Sequence, residues 1–271
     1  MNHARLCILG AGNMGRALIG GLLRAGALPG EITVGESVAA VREALSRDLG
    51  VRATADNRAA MTGAAVVVLA VKPQQAQAVL TPLAPALRTA HALLLSVAAG
   101  VRVATLEGWC GAGVGVVRAM PNRPALVGAG VTGLYAPPQV AAPQRALAER
   151  VMKSVGEVVW VPGEDALDTV TALSGSGPAY FFLLAELLAE AGEQLGLEGA
   201  AARRLAAVTL YGAGLLTQSG DADLRQLRAE VTSQGGTTEA ALRVLEGSDL
   251  RATVTRALAA AAQRSRELGS S

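Results

Sequence analysis

In the first half of the chain, short apolar runs rich in β-branched residues alternate with stretches whose apolar positions recur at helical spacing. Arg5–Leu9, Ile32–Val34, Ala65–Val71, Ala92–Val97 and Val114–Arg118 read as strands, with amphipathic segments between several of them. That alternation predicts a mainly parallel sheet with helices on its faces. Glu157–Val161 predicts one further short strand, and Pro162–Gly163 then marks a boundary. Beyond Asp165 the strand pattern stops. Residues 178–195, 200–218, 223–231, 237–246 and 249–268 all carry helical spacing, separated by Gly-rich punctuation. The expected organisation is an α/β domain over residues 1–162 followed by an all-α domain over 163–271. Pro137–Pro143 reads as a surface loop.

Composition narrows the partners. Lys+Arg 24 against Asp+Glu 22 gives a net charge of +2, too small a field to draw nucleic acid or an anionic membrane surface. Cys7 and Cys110 follow no metal or redox spacing, no metal is expected, and a reducing cytoplasm fits. The most apolar later segment, Tyr180–Leu188, is short and interrupted by Glu186, so no membrane span is expected. A hydrophobic content of 51% fits either helices buried against another subunit or simple alanine bias.

Candidate chemistry begins at Gly10-Ala11-Gly12-Asn13-Met14-Gly15, directly after the first strand and opening a helical stretch from Arg16. In that context the spacing fits a dinucleotide fingerprint. Gly10 allows a tight turn, Gly12 lets the backbone approach a pyrophosphate, Gly15 lets helix and strand pack closely, and the helix N-terminus offers N–H groups to the anion. A glycine turn shaped for packing alone is the alternative. Glu36 follows the second strand, where a carboxylate can accept hydrogen bonds from an adenosine ribose and would repel a 2'-phosphate. Taken alone it favours NADH over NADPH, although Ser37 and Arg42 lie close enough to accommodate a phosphate. Lys72-Pro73 and Ala98-Ala99-Gly100 end later strands, and loops at those ends line the cofactor crevice of a doubly wound sheet.

In the helical half, Ser174–Ala179 and Thr232–Thr238 each precede a helix and offer small residues whose N–H groups and hydroxyls can cap that helix or cradle a carboxylate. That half contains neither His nor Lys, since the histidines are His3 and His91 and the lysines Lys72 and Lys153. Reducing a ketone builds an alkoxide that calls for a positioned acid, whereas reducing an imine can begin from an iminium protonated by water. Tyr180, Tyr211, Glu164 or Glu186 remain open as proton sources, so this absence tilts the substrate class without fixing it.

These segments also carry a family resemblance. G-A-G-N-M-G, L-A-V-K-P-Q at 69–74, S-V-A-A-G at 96–100, R-A-M-P-N at 118–122, A-L-S-G-S-G-P-A-Y at 172–180 and T-S-Q-G-G-T-T at 232–238 resemble, in order, the pyrroline-5-carboxylate reductases. The last two motifs are the most specific. The resemblance implies an N-terminal Rossmann domain, a helical domain that interlocks with a second subunit, and an active site shared across that homodimer; larger rings of dimers are common in the family. It implies hydride transfer from NADPH or NADH to C5 of 1-pyrroline-5-carboxylate in the cytoplasm, giving L-proline. The substrate carboxylate would meet Gly236, Thr237 and Thr238, the hydroxyl of Thr171 would bond near the ring nitrogen, and Glu164 and Ser176 would lie close by. Cofactor contacts would come from Gly10, Gly12, Asn13, Met14, Gly15, Glu36, Ser37, Asn57, Ala70, Val71, Lys72, Pro73, Ala98, Ala99 and Gly100.

Three positions depart from the family pattern: Arg123 where Thr is common, Gln234 where Pro is common, and Glu36 where members preferring NADPH place small or basic residues. Gln234 loosens its loop entropically. Two other readings stay open. A β-hydroxyacid-dehydrogenase-type reductase would use a lysine in the helical half, which this chain lacks. A dinucleotide-binding redox sensor would bind NADH without consuming it.

Overall fold

The computed structural model describes residues 4–218 and 223–269. Eight strands form one sheet: β1 Leu6–Leu9, β2 Ile32–Gly35, β3 Arg52–Thr54, β4 Val66–Leu69, β5 Leu93–Ser96, β6 Val116–Met120, β7 Gly130–Tyr135 and β8 Gly156–Trp160. Their order is β3-β2-β1-β4-β5-β6-β7-β8. The strands from β3 to β6 are parallel, with Leu6 opposite Ile32 on one side and Val66 on the other. β7 turns antiparallel to β6, and β8 runs parallel to β7. Between strands lie α1 Asn13–Arg24, α2 Ala39–Leu49, α3 Asn57–Ala60, α4 Pro73–Leu80, α5 Ala84–Ala90, α6 Val103–Cys110 and α7 Ala142–Lys153.

The central strands are apolar at every position because both faces are covered. Leu6, Ile8, Val66, Val68, Leu93 and Leu95 enter one core, while Cys7, Leu9, Val67, Leu69 and Leu94 enter the other. Each such side chain contributes about 1.5–3 kcal/mol relative to exposure, which is why these runs were legible as strands. Cys7 belongs to this core: burial pushes its thiol up to about 12, so it packs as a small apolar residue.

β3 and β7 were not expected from the pattern. β3 is a short edge strand that reads Arg-Ala-Thr, and β7 reads Gly-Val-Thr-Gly-Leu-Tyr, interrupted by two glycines. Ala125 packs where a Cβ at Gly130 would stand, and Val170 and Leu167 pack over Gly133. The expected loop at 137–143 ends inside α7, whose first turn takes Pro143 without losing a helical hydrogen bond.

After β8 the chain is helical: α8 Ala166–Val170, a π-helical turn at Thr171–Gly175, α9 Gly177–Gln194, α10 Gly199–Leu216, α11 Leu224–Glu230, α12 Thr237–Gly247 and α13 Leu250–Gly269. The chain divides into two compact units: one runs to Gly175 and takes in the chain again from Ala261, and the other is Ser176–Ala260. Pro162–Gly163, where the strand pattern ends, lies short of that division. The reason is packing: Leu167 and Ala172 are buried, and buried Asp168 accepts a 2.6 Å bond from the Ser265 hydroxyl of α13.

In the second unit α9 and α10 pack on each other, yet both leave large apolar side chains exposed. On α9, Phe181, Phe182, Leu183, Leu184, Leu187 and Leu188 are all more than half exposed. A helix apolar all round belongs in an interior or an interface. By length and composition alone, Ala166–Gln194 also passes as long and apolar enough to cross a membrane.

Candidate active site

The strand order reverses between β1 and β4, so the crevice outside the carboxyl ends of these strands is the expected ligand position. The glycine turn stands there. Gly10 has φ +94 and lies so close to Val71 Cγ1 and the Ala70 carbonyl that an added Cβ would approach them to 2.8 and 2.9 Å. A Cβ at Gly15 would run into the carbonyl oxygen of Gly10, so helix and strand meet there without room for a side chain. Gly12 is different: a Cβ there would meet nothing within 4 Å. Packing therefore explains Gly10 and Gly15, and leaves open space beside Gly12. Gly12 is also the N-cap of α1, and among the described residues no side chain caps that first turn and no acid lies in it. By contrast, α3, α10 and α11 are capped by Asp56, Glu198 and Asp223. The arrangement fits an anion held by main-chain donors. Asn13 opens α1, and the side chain of the partly buried Met14 packs against the core.

Glu36 sits past the end of β2 and is fixed rather than loose. Its carboxylate accepts the Ala11 N–H at 2.9 Å, the Val38 N–H at 2.9 Å and the Ser37 hydroxyl at 3.4 Å. Partial burial raises its pKa, the bonds from Val38 and Ala11 lower it, and the net lies below the ordinary carboxylate value, so the charge is present at neutral pH. Arg42 donates to the backbone carbonyls of Glu36 and Ser37 at 2.9 and 2.7 Å, which holds it beside this corner. Asn57 lies against Gly35 at the end of β2, and Ala70 and Val71 flank Gly10. Lys72 is the exposed N-cap of α4, with Pro73 in the first turn. Ala98 and Ala99 follow β5, and Gly100, at φ +77, packs against the Leu268 carbonyl near the end of α13.

The π-helical turn holds Thr171, and such single-turn irregularities collect at functional sites. The Thr171 hydroxyl donates to the Leu167 carbonyl at 2.7 Å, so its lone pairs point elsewhere as acceptors. Asn122 rivets this turn to the sheet: its amide donates to the Ser174 carbonyl at 3.1 Å and accepts the Val131 N–H at 2.9 Å. Glu164 lies in the same unit, with its carboxylate already engaged. Oε1 accepts from Arg118 at 2.6 Å and from the Val103 N–H at 2.8 Å. Arg118 lies in the R-A-M-P-N motif, and the sequence alone predicts no role for it. The signal was present, because a charged residue inside an apolar strand run must find a partner when buried.

Within the second unit, Ser176 occupies the N-cap position of α9 but its hydroxyl makes no capping bond. Gly236 is the N-cap of α12, and among the described residues no side chain caps that helix. Gly235 has φ +72, and its N–H donates to Glu239 at 2.8 Å. The acid in the first turn of α12, Glu239, engages one loop donor beside the backbone N–H groups of Thr237 and Thr238.

The chain is similar to known proteins in both halves. A family model described as "Pyrroline-5-carboxylate reductase dimerisation" matches residues 164–268, and one described as "NADP oxidoreductase coenzyme F420-dependent" matches residues 5–100. A pyrroline-5-carboxylate reductase of Pseudomonas aeruginosa is 44% identical over 268 residues, spanning 99% of this chain and 98% of the relative. The solved reductase from Coxiella burnetii matches with a TM-score of 0.96 at 43% identity, covering 98% of this chain and 99% of that one. The Plasmodium falciparum reductase, solved with NADP bound, matches at a TM-score of 0.81 and 28% identity, covering 99% of both chains.

Proposed function

This chain belongs to the pyrroline-5-carboxylate reductase family, and from that membership we propose how its residues reduce the C=N bond of 1-pyrroline-5-carboxylate to L-proline. What carries the reading is similarity across the full length, through both the nucleotide half and the helical half, rather than at the glycine turn alone. The activity is that of an NAD(P)H-dependent oxidoreductase acting on a CH–NH group, the last step of proline biosynthesis.

The open space at Gly12 and the uncapped first turn of α1 suit the pyrophosphate of NADPH or NADH. When bound, the reduced nicotinamide supplies the hydride that goes to C5. Thr171 accepts the N–H of the protonated ring nitrogen, a role supported by the commitment of its own proton to Leu167. That contact favours the iminium, the better hydride acceptor, and no side-chain acid is required because solvent protonates the imine. The substrate carboxylate binds the Gly236-Thr237-Thr238 corner at the start of α12, with Ser176 near the ring. The helical domain from residue 163 onward forms a homodimer in the cytoplasm, which covers the apolar surface of α9.

Mixing NADH, enzyme and the imine is expected to bleach the nicotinamide absorbance; binding of NADH with no bleaching would identify a sensor instead. Thr238→Val keeps the volume and removes the hydroxyl, so the imine KM is expected to rise on the order of tenfold with the NADH KM unchanged. Unchanged imine kinetics would move the carboxylate away from this loop.

Glu36 sets the finer choice of cofactor. A fixed carboxylate with lone pairs to spare accepts ribose hydroxyls and opposes a 2'-phosphate, so kcat/KM for NADH exceeds that for NADPH. Glu36→Ser is expected to shift the NADH to NADPH ratio toward NADPH by at least about tenfold, with Arg42 then facing the phosphate. Equal ratios in parent and variant would remove Glu36 from cofactor selection.

A further inference from the structure

The β5–α6 loop, Val97–Arg102, is held within its span and at its exit by long-range contacts. On one side Gly100 packs against the last turn of α13. On the other, two adjacent residues of the loop's exit are gripped by two adjacent residues that follow β8: Val103 N–H by Glu164, and Arg102 by Asp165 at 2.8 Å. The two grips are not equivalent. Asp165 is 83% exposed and Arg102 37%, the setting in which an ion pair contributes little. The Arg118 and Glu164 side chains are 10% and 17% exposed, and at 2.6 Å they form a charge-assisted bond that solvent screens poorly.

The geometry has a direction. Arg118 belongs to β6, whose register to β5 and β7 is set by backbone bonds, so its backbone is a fixed point in the sheet. Glu164 hangs on that point and uses the same oxygen to accept the first N–H of α6, capping from another part of the chain a helix that has no local side-chain cap. One short helix, α8, separates Glu164 from the turn that carries Thr171. Glu164 is thus tied through its carboxylate to the start of α6 and through the chain to the turn of Thr171.

We propose that Arg118 and Glu164 form a positioning clamp that sets the β5–α6 loop, on the cofactor side, against Thr171, on the substrate side. The clamp rests on the functional reading above, but neither residue needs to touch a reacting atom. A shift of about 1 Å between reacting groups costs on the order of a hundredfold in rate, so the clamp acts on kcat more than on binding.

Arg118→Met and Arg118→Met/Glu164→Gln test it, alongside Arg118→Lys. The single Met variant strands a buried carboxylate and is expected to lose both stability and turnover. The double variant removes that stranded charge, so it is expected to regain most of the parent Tm and an NADH Kd within about threefold, while kcat stays on the order of a hundredfold down. Arg118→Lys keeps the charge without the planar fork and is expected to recover part of kcat. A purely structural pair predicts the opposite: kcat per folded molecule within about threefold of parent in the double variant would overturn the clamp. So would parallel losses of kcat and NADH affinity. Because the parent is assayed first, a parent that never oxidises NADH with the imine counts against the functional reading, whereas an active parent with an equally active double variant counts against the clamp alone.

Discussion

Gly15→Ala is expected to lower NADH affinity by a factor on the order of a thousand, read by titration of nicotinamide fluorescence, and to lower Tm as well. The added methyl group would collide with the carbonyl oxygen of Gly10. That atom is backbone, so no side-chain rotation relieves the contact. Gly10 cannot retreat either, because its N–H bonds the Gly35 carbonyl at 2.8 Å and the chain of Ala70 and Val71 stands on its other side. Helix α1 must therefore move away from β1, at an overpacking cost of about 1–3 kcal/mol. Its first-turn N–H groups move with it, and their hold on the phosphates fails because charge-assisted bonds weaken steeply with misalignment. Gly12→Ala is the control. Nothing lies within 4 Å of its added methyl, so Tm stays at the parent value and only the approach of the ligand suffers. NADH binding by Gly15→Ala within about threefold of parent would show that the turn does not hold the cofactor.

The second large effect concerns assembly. Phe182→Glu places a carboxylate on the middle of α9, where Phe182 is 61% exposed and its neighbours Phe181 and Leu183 are 59% and 55% exposed. In an isolated chain this substitution is benign, since water reaches the site. In a two-fold dimer built on this helix the change appears twice and buries unpaired charge at several kcal/mol per ion. At least about 4 kcal/mol, a thousandfold in Kd, is expected. Sedimentation at micromolar concentration should then report monomer, with turnover lost if the active site is completed by the second copy. A Phe182→Glu protein that still sediments as a dimer would place the interface on another surface.

Much of the architecture was readable because burial leaves a local record. The β1 turn could be parsed from spacing, since each glycine answers a constraint set by residues next to it in sequence. The helices from α9 to α13 follow the predicted stretches closely, because helical periodicity repeats within a few positions, whereas short α8 and the π-helical turn after it were not predicted. β3 and β7 escaped because their stability comes from neighbours in the sheet rather than from their own apolarity.

By itself, then, the sequence determined the doubly wound first half, the helical second half, the glycine turn after β1 and the family motifs, all encoded over short stretches of chain. The tertiary structure alone decided which polar groups meet. Arg118 finds Glu164 across 46 residues and Asp168 finds Ser265 across 97. It also decided that the chain from Gly163 to Gly175 packs with the sheet while α9 keeps its apolar side chains exposed. Periodicity reports that a side chain is buried or charged, but a partner is chosen by where the folded backbone carries it, and that depends on every element in between.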